Sequence, residues 1–260
     1  MAVNSNGKKS RKIPLRFEWV LPLFIKPRKT ISTIVEQDKP AWLTPLLILS
    51  ALLLITVLVS GPIRLQQIQS GATLPQDFQY YSEADQQKFL TAQATQSSPL
   101  FVYVFPFLSG MLKLWISWFL LGSLLYLSLT LAGSRAGSIK SYNLAGWSFL
   151  PWGLRYLVQL AGILVSKQLN PAGGLAGFVS ADATGFLLFL RSLMGLIDIY
   201  FLFQVVLLFI GAVPLSGLTR SKAWIATGIS ILILVLLQAV PGLISAALGG
   251  ISLSNGFFFF

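Results

Sequence analysis

Five long apolar runs constrain this chain more than any other feature. A hydrocarbon layer about 30 Å thick is crossed by about 20 apolar residues of α-helix. Runs of that kind occupy residues 43–60, 104–131, 144–166, 186–213 and 223–248. They are too long and too continuously apolar for the alternating strands of a membrane barrel. The expected fold is all-α: a polytopic integral membrane bundle with five transmembrane helices, 43–248. An amphipathic interfacial segment at 13–42 precedes it. Residues 1–12 are polar and basic and are expected to be disordered. Residues 61–99 form an external loop, in which Ser82-Glu83-Ala84-Asp85 has the pattern of a helix-start capping box, followed by a short helix to about Ala94. That loop is a docking surface or a solvated excursion. Residues 249–260 form an external apolar tail ending in Phe257-Phe258-Phe259-Phe260. The first long apolar run begins after Trp42, so no cleavable signal peptide is expected.

Composition then excludes most chemistry. The chain is 55% hydrophobic and 10% charged, unlike a soluble domain, and it holds no His and no Cys. Those absences remove His general bases, thiol nucleophiles, disulfides, and His or Cys metal and haem ligation. An intramembrane aspartyl protease needs two close carboxylates, and only Asp198 lies deep in a run. Gly173-Gly174-Leu175-Ala176-Gly177 sits in a loop and means turn, not phosphate cradle. No catalytic residue, cofactor or metal site is expected, and the chain is not expected to be an enzyme.

The 19 basic residues orient the bundle. Those of the N-terminal segment, with Arg135, Lys140, Arg220 and Lys222, share one side of a five-span layout. The opposite loops hold only Arg64, Lys88 and Lys167. The positive-inside rule places the N-terminus in the cytoplasm and the C-terminus outside a cell membrane. Within residues 13–42, Pro27 opens a short helix whose Ile31, Ile34 and Val35 fall at i, i+3 and i+4. This stripe either lies in the headgroup region, with Arg16, Lys26, Arg28 and Lys29 on phosphates, or packs under the bundle.

Charges inside the runs require partners or water. Counted from the outer ends of the third and fourth spans, Arg155 and Asp198 lie about 12 and 13 residues deep, so they are expected to pair. Arg191 lies two turns before Asp198, on the same helix face. Lys113 either joins them at equal depth or, if its helix begins near Leu112, snorkels to the outer interface, which is the expectation adopted. The cluster is an ion or proton path, or a polar clasp between helices.

Several segments resemble the Yip family, five-span proteins named for interaction with Ypt/Rab GTPases, and in particular its bacterial branch. They are Leu23-Phe24-Ile25-Lys26-Pro27-Arg28-Lys29-Thr30-Ile31 with Ile34 and Glu36, then Pro40-Ala41-Trp42-Leu43-Thr44-Pro45-Leu46. Ser141-Tyr142-Asn143 into Trp147-Ser148-Phe149-Leu150-Pro151 follows, and Gly217-Leu218-Thr219-Arg220-Ser221-Lys222-Ala223 enters the last span. The Asp-Leu-Tyr-Gly-Pro element of eukaryotic members is absent. The resemblance implies a non-enzymatic accessory or scaffold membrane protein with a cytoplasmic N-terminus. The expected partners are the lipid bilayer, another membrane protein such as an ABC-type exporter, and a second copy of the chain; nucleic acid is not expected. The alternative is a small transporter or channel that uses Lys113, Arg155 and Asp198.

Overall fold

A computed structural model describes residues 15–70, 78–169, 174–179 and 185–247. The basic tail 1–12 and the apolar tail 249–260 lie outside the described residues. The elements are α1 (Val20–Ile25), α2 (Pro27–Val35), α3 (Leu43–Gln69), α4 (Glu83–Gln96), α5 (Phe105–Leu131), α6 (Ser138–Ser148), α7 (Pro151–Ser166), α8 (Phe186–Gly195), α9 (Ile199–Ser216) and α10 (Arg220–Ala247). A 3₁₀ turn, Phe17–Trp19, leads into α1, and a π-helical turn, Leu100–Val104, leads into α5. No strand occurs among the described residues. Five helical stretches are long and apolar enough to cross a membrane: Leu43–Gln69, Leu100–Leu131, Ser138–Ser166, Ile199–Ser216 and Arg220–Val240. The five-span, all-helical expectation is met.

The element ends differ from the apolar runs in instructive ways. α3 continues through Gly61 and Pro62 to Gln69, so the loop expected at 61–99 starts later and itself contains α4. Loss of hydrophobicity after Ser60 ends the apolar run but leaves good helix formers, Leu and Gln, to extend the helix beyond it. The third span starts at Ser138 rather than 144 and is jointed at Phe149–Leu150, because Pro151 has no N–H to continue the helical ladder and instead opens α7. The fourth expected span, 186–213, is two helices. α8 stops at Gly195, and Asp198, with extended backbone (φ −140°, ψ −179°), caps α9 by accepting the Phe201 N–H at 2.7 Å.

The loops after α5 and α9 and the N-terminal segment meet at one end, called here the basic end. Ser134 Oγ donates to the Ser216 carbonyl at 2.9 Å, joining the two loops. Lys140 reaches Asp38 at 3.4 Å. α2 lies against both α6 and α9. Its apolar stripe, Ile31, Ile34 and Val35, is essentially unexposed, as is Leu23 of α1. The stripe therefore packs under the bundle. Rings of the segment also engage the spans: Trp19 with Trp147 (5.6 Å between centroids) and Phe24 with Phe203 (5.8 Å).

Close approaches occur where a side chain is missing. At Gly211 of α9 an added Cβ would collide with Leu144 of α6 and come within 2.8 Å of Ile31 of α2. At Gly146 of α6 it would lie 2.8 Å from Trp42 Cβ and 3.2 Å from its Cα. Trp42 in turn packs on Trp118 of α5, 4.3 Å between centroids.

Candidate functional site

Two polar constellations are built into this bundle. The first ties the segment to the third span. Asn143 of α6 is fully buried. Its Oδ1 accepts the Ala41 N–H at 2.7 Å, and its Nδ2 donates to the Lys39 carbonyl at 3.0 Å. One turn on, Trp147 Nε1 donates to the Ala41 carbonyl at 3.0 Å. A linker between helices cannot satisfy its own backbone groups, and in an apolar setting each unmet one is costly. Asn143 and Trp147 supply those partners. Both stand in segments that carry the family resemblance, yet an amide in an apolar run gave no hint of which backbone it serves.

The second constellation lies between α7 and α9. Arg155 Nη1 is 3.3 Å from Asp198 Oδ2, with side-chain exposures of 7% and 12%. The guanidinium stacks over Trp152, 5.1 Å from the ring centroid. Trp152 Nε1 donates at 2.7 Å to Oε1 of the buried Gln204, one of α9's inward-facing residues. The level can be read from Gly153, where an added Cβ would touch Leu49 and Leu52 at 3.5 and 3.3 Å. Leu52 lies about 14 Å along α3 from Leu43.

The structure thus brings Arg155 and Asp198 together, but by a route the helix count did not contain. Asp198 is not a mid-helix residue. It occupies the gap between α8 and α9, and its charge is met by the Arg155 guanidinium, the Phe201 N–H and the positive N-terminal end of α9. The expected shared face of Arg191 and Asp198 is overturned, because the break at 196–198 puts Arg191 on α8, which packs against α10. The snorkelling expected of Lys113 is overturned as well. It required a helix start near Leu112, whereas the helical span starts at Leu100, so Lys113 stands well inside it, half-buried and within electrostatic reach of Arg155. An Asp ahead of a run opening with Ile199 is an N-cap signature that was available in the sequence. A smaller bond, Gln238 Nε2 to Ser117 Oγ at 2.9 Å, joins α10 to α5.

The remaining carboxylates of the described residues lie at the two ends of the bundle: Glu18, Glu36 and Asp38 at one, Glu83 and Asp85 at the other. Arg16, Lys26, Arg28 and Lys29 are placed around the N-terminal segment; the last three are exposed, and Arg16 is half-buried, 3.3 Å from Glu18. Among the described residues no group of three potential metal-ligating side chains converges. The arrangement therefore offers one ion pair held between α7 and α9 and a cationic rim at the basic end. In comparison with known proteins, the family model described as the Yip1 domain matches residues 22–240. No curated protein and no solved structure matches the chain.

Proposed function

This chain belongs to the Yip family of membrane proteins, and on that premise we propose that it is a non-enzymatic accessory or scaffold protein that binds another membrane component, such as an ABC-type exporter. The observation that carries the reading is the state of the polar groups between α7 and α9. Arg155, Asp198, Trp152 and Gln204 engage one another, the arrangement of a clasp that fixes α7 against α9. The N-terminus faces the cytoplasm of a cell membrane and the C-terminus the opposite side; the cationic residues gathered at the basic end support this orientation.

The test is in-cell photo-crosslinking from a lipid-facing position, Leu54 or Ile229, with the buried Leu121 as control, followed by purification in mild detergent and mass spectrometry. One membrane protein recurring from the exposed positions and absent from the control is expected. A monomer with no recurrent partner overturns the proposal.

One observation favours a second reading, a small transporter or channel. Arg155 is paired with Asp198 between α7 and α9, and Lys113 lies within electrostatic reach of Arg155. That reading requires ion or proton flux in liposomes that Asp198→Asn abolishes. Folded protein without flux removes it.

A further inference from the structure

The N-terminal segment leaves an apolar face uncovered. Leu15, Phe17, Leu21 and Ile25 are 45, 56, 67 and 65% exposed, while Leu23 among them is fully buried. Of the two places the sequence pattern allows the α2 stripe, the headgroup region and the underside of the bundle, it takes the second and is covered by α6 and α9. The free face belongs instead to the 3₁₀ turn and α1. Its level is fixed by a hydrogen bond from the Arg16 N–H to Thr44 Oγ1, 2.8 Å. Thr44 is the second residue of α3, where the first span begins. The face thus lies at the level of the start of the first span, beside α6 and α9.

Charge decides what can cover it. Lys26, Arg28 and Lys29 follow α1 directly and are exposed. The acid on the face, Glu18, is ion-paired with Arg16, whose guanidinium also lies over Trp19. Asp38, the acid near α6, is held by Lys140. Glu36 is exposed at the far end of α2, so next to α1 the surround is cationic. An apolar strip with cations at its margin matches an anionic leaflet, where the side chains enter about 5–10 Å and the cations meet phosphates.

We propose that residues 15–29 form an in-plane anchor that reads anionic lipid: Leu15, Phe17, Leu21 and Ile25 enter the leaflet at the basic end, and Lys26, Arg28 and Lys29 bind lipid phosphates. The occupant is the lipid surface rather than a protein, and the proposal stands apart from the accessory role. Each cation is expected to change the docked-to-undocked ratio by about fivefold.

The chain has no Cys, so Leu21→Cys gives full-length protein with a single site for an environment-sensitive fluorophore. The labelled protein is placed in nanodiscs of phosphatidylcholine alone or mixed with phosphatidylglycerol. Phosphatidylglycerol is expected to shift emission to the blue and protect the label from an aqueous quencher. Inorganic phosphate added to phosphatidylcholine discs is expected to do neither. Combining K26Q, R28Q and K29Q is expected to remove the phosphatidylglycerol effect without changing the unfolding temperature in detergent. Equal protection in the two lipids overturns the proposal, as does a phosphatidylglycerol effect that survives the triple substitution. Protection by free phosphate, or in native membranes but not in phosphatidylglycerol discs, overturns it too, the latter by assigning the face to a protein.

Discussion

Asp198 does two things with one carboxylate: one oxygen caps α9 and the other holds Arg155. The two roles separate by substitution. Asp198→Asn keeps a good N-cap and removes the charge, whereas Asp198→Ala removes both. Breaking a buried pair leaves Arg155 uncompensated and is expected to cost about 3–5 kcal/mol in either variant. The Ala variant is expected to be less stable than the Asn variant by about 1 kcal/mol. Thermal unfolding in a fixed detergent measures both differences, and equal stability of the two variants would contradict the capping role. Both charges were legible in the sequence as groups that a lipid interior cannot leave alone. The N-cap signature was present as well, but counting along an unbroken helix treats Asp198 as one more interior position. Asn143 and Trp147 were likewise visible only as a motif. Their bonds to Lys39 and Ala41 span about 100 residues, and local pattern carries no information at that separation.

The elements divide by how far local pattern determines them. Spans follow from apolar length, which is why α3, α5 and α10 emerge from hydrophobicity with only their ends displaced. Breaks depend on single residues, Pro151 and Asp198, whose effect on a helix is chemical rather than hydropathic. Packing of α2 depends on the small surface opposite it. Gly211→Leu is expected to push α2 away from α6 and α9, at a cost of about 1–3 kcal/mol, and to open the linker before Leu43 to protease. Limited proteolysis beside a thermal melt measures both effects; a tight linker in a folded variant would contradict the contact. At the opposite end, α4 begins with Ser82, whose Oγ accepts the Asp85 N–H at 3.2 Å and donates to Asp85 Oδ2 at 2.7 Å. The Ser82 hydroxyl first, and Lys88 second, hold the Asp85 carboxyl below the usual carboxylate range. A depressed folded value means this contribution is full above the unfolded pKa and is lost as pH falls through the lower folded one. Amide exchange across residues 83–96 is expected to quicken as pH drops below about 4, after correction for the intrinsic rate. Asp85→Asn is expected to flatten that response.

For the whole molecule, successive crossings put alternate loops on opposite sides of the membrane. With Lys29→Cys and Lys88→Cys introduced singly, an impermeant maleimide on intact cells is expected to label only position 88. Position 29 is expected to label after permeabilisation. The reverse pattern would invert the orientation proposed from the basic residues. The arrangement of α1 and α2 has a further bearing on what the molecule can carry. Leu23, Ile31, Ile34 and Val35 form a floor with no accessible surface to speak of, anchored by the Arg16–Thr44 bond and by Asn143 on the linker behind it. That floor closes the basic end of the seam between α6 and α9, so opening the seam there would mean unmooring the segment and breaking those bonds.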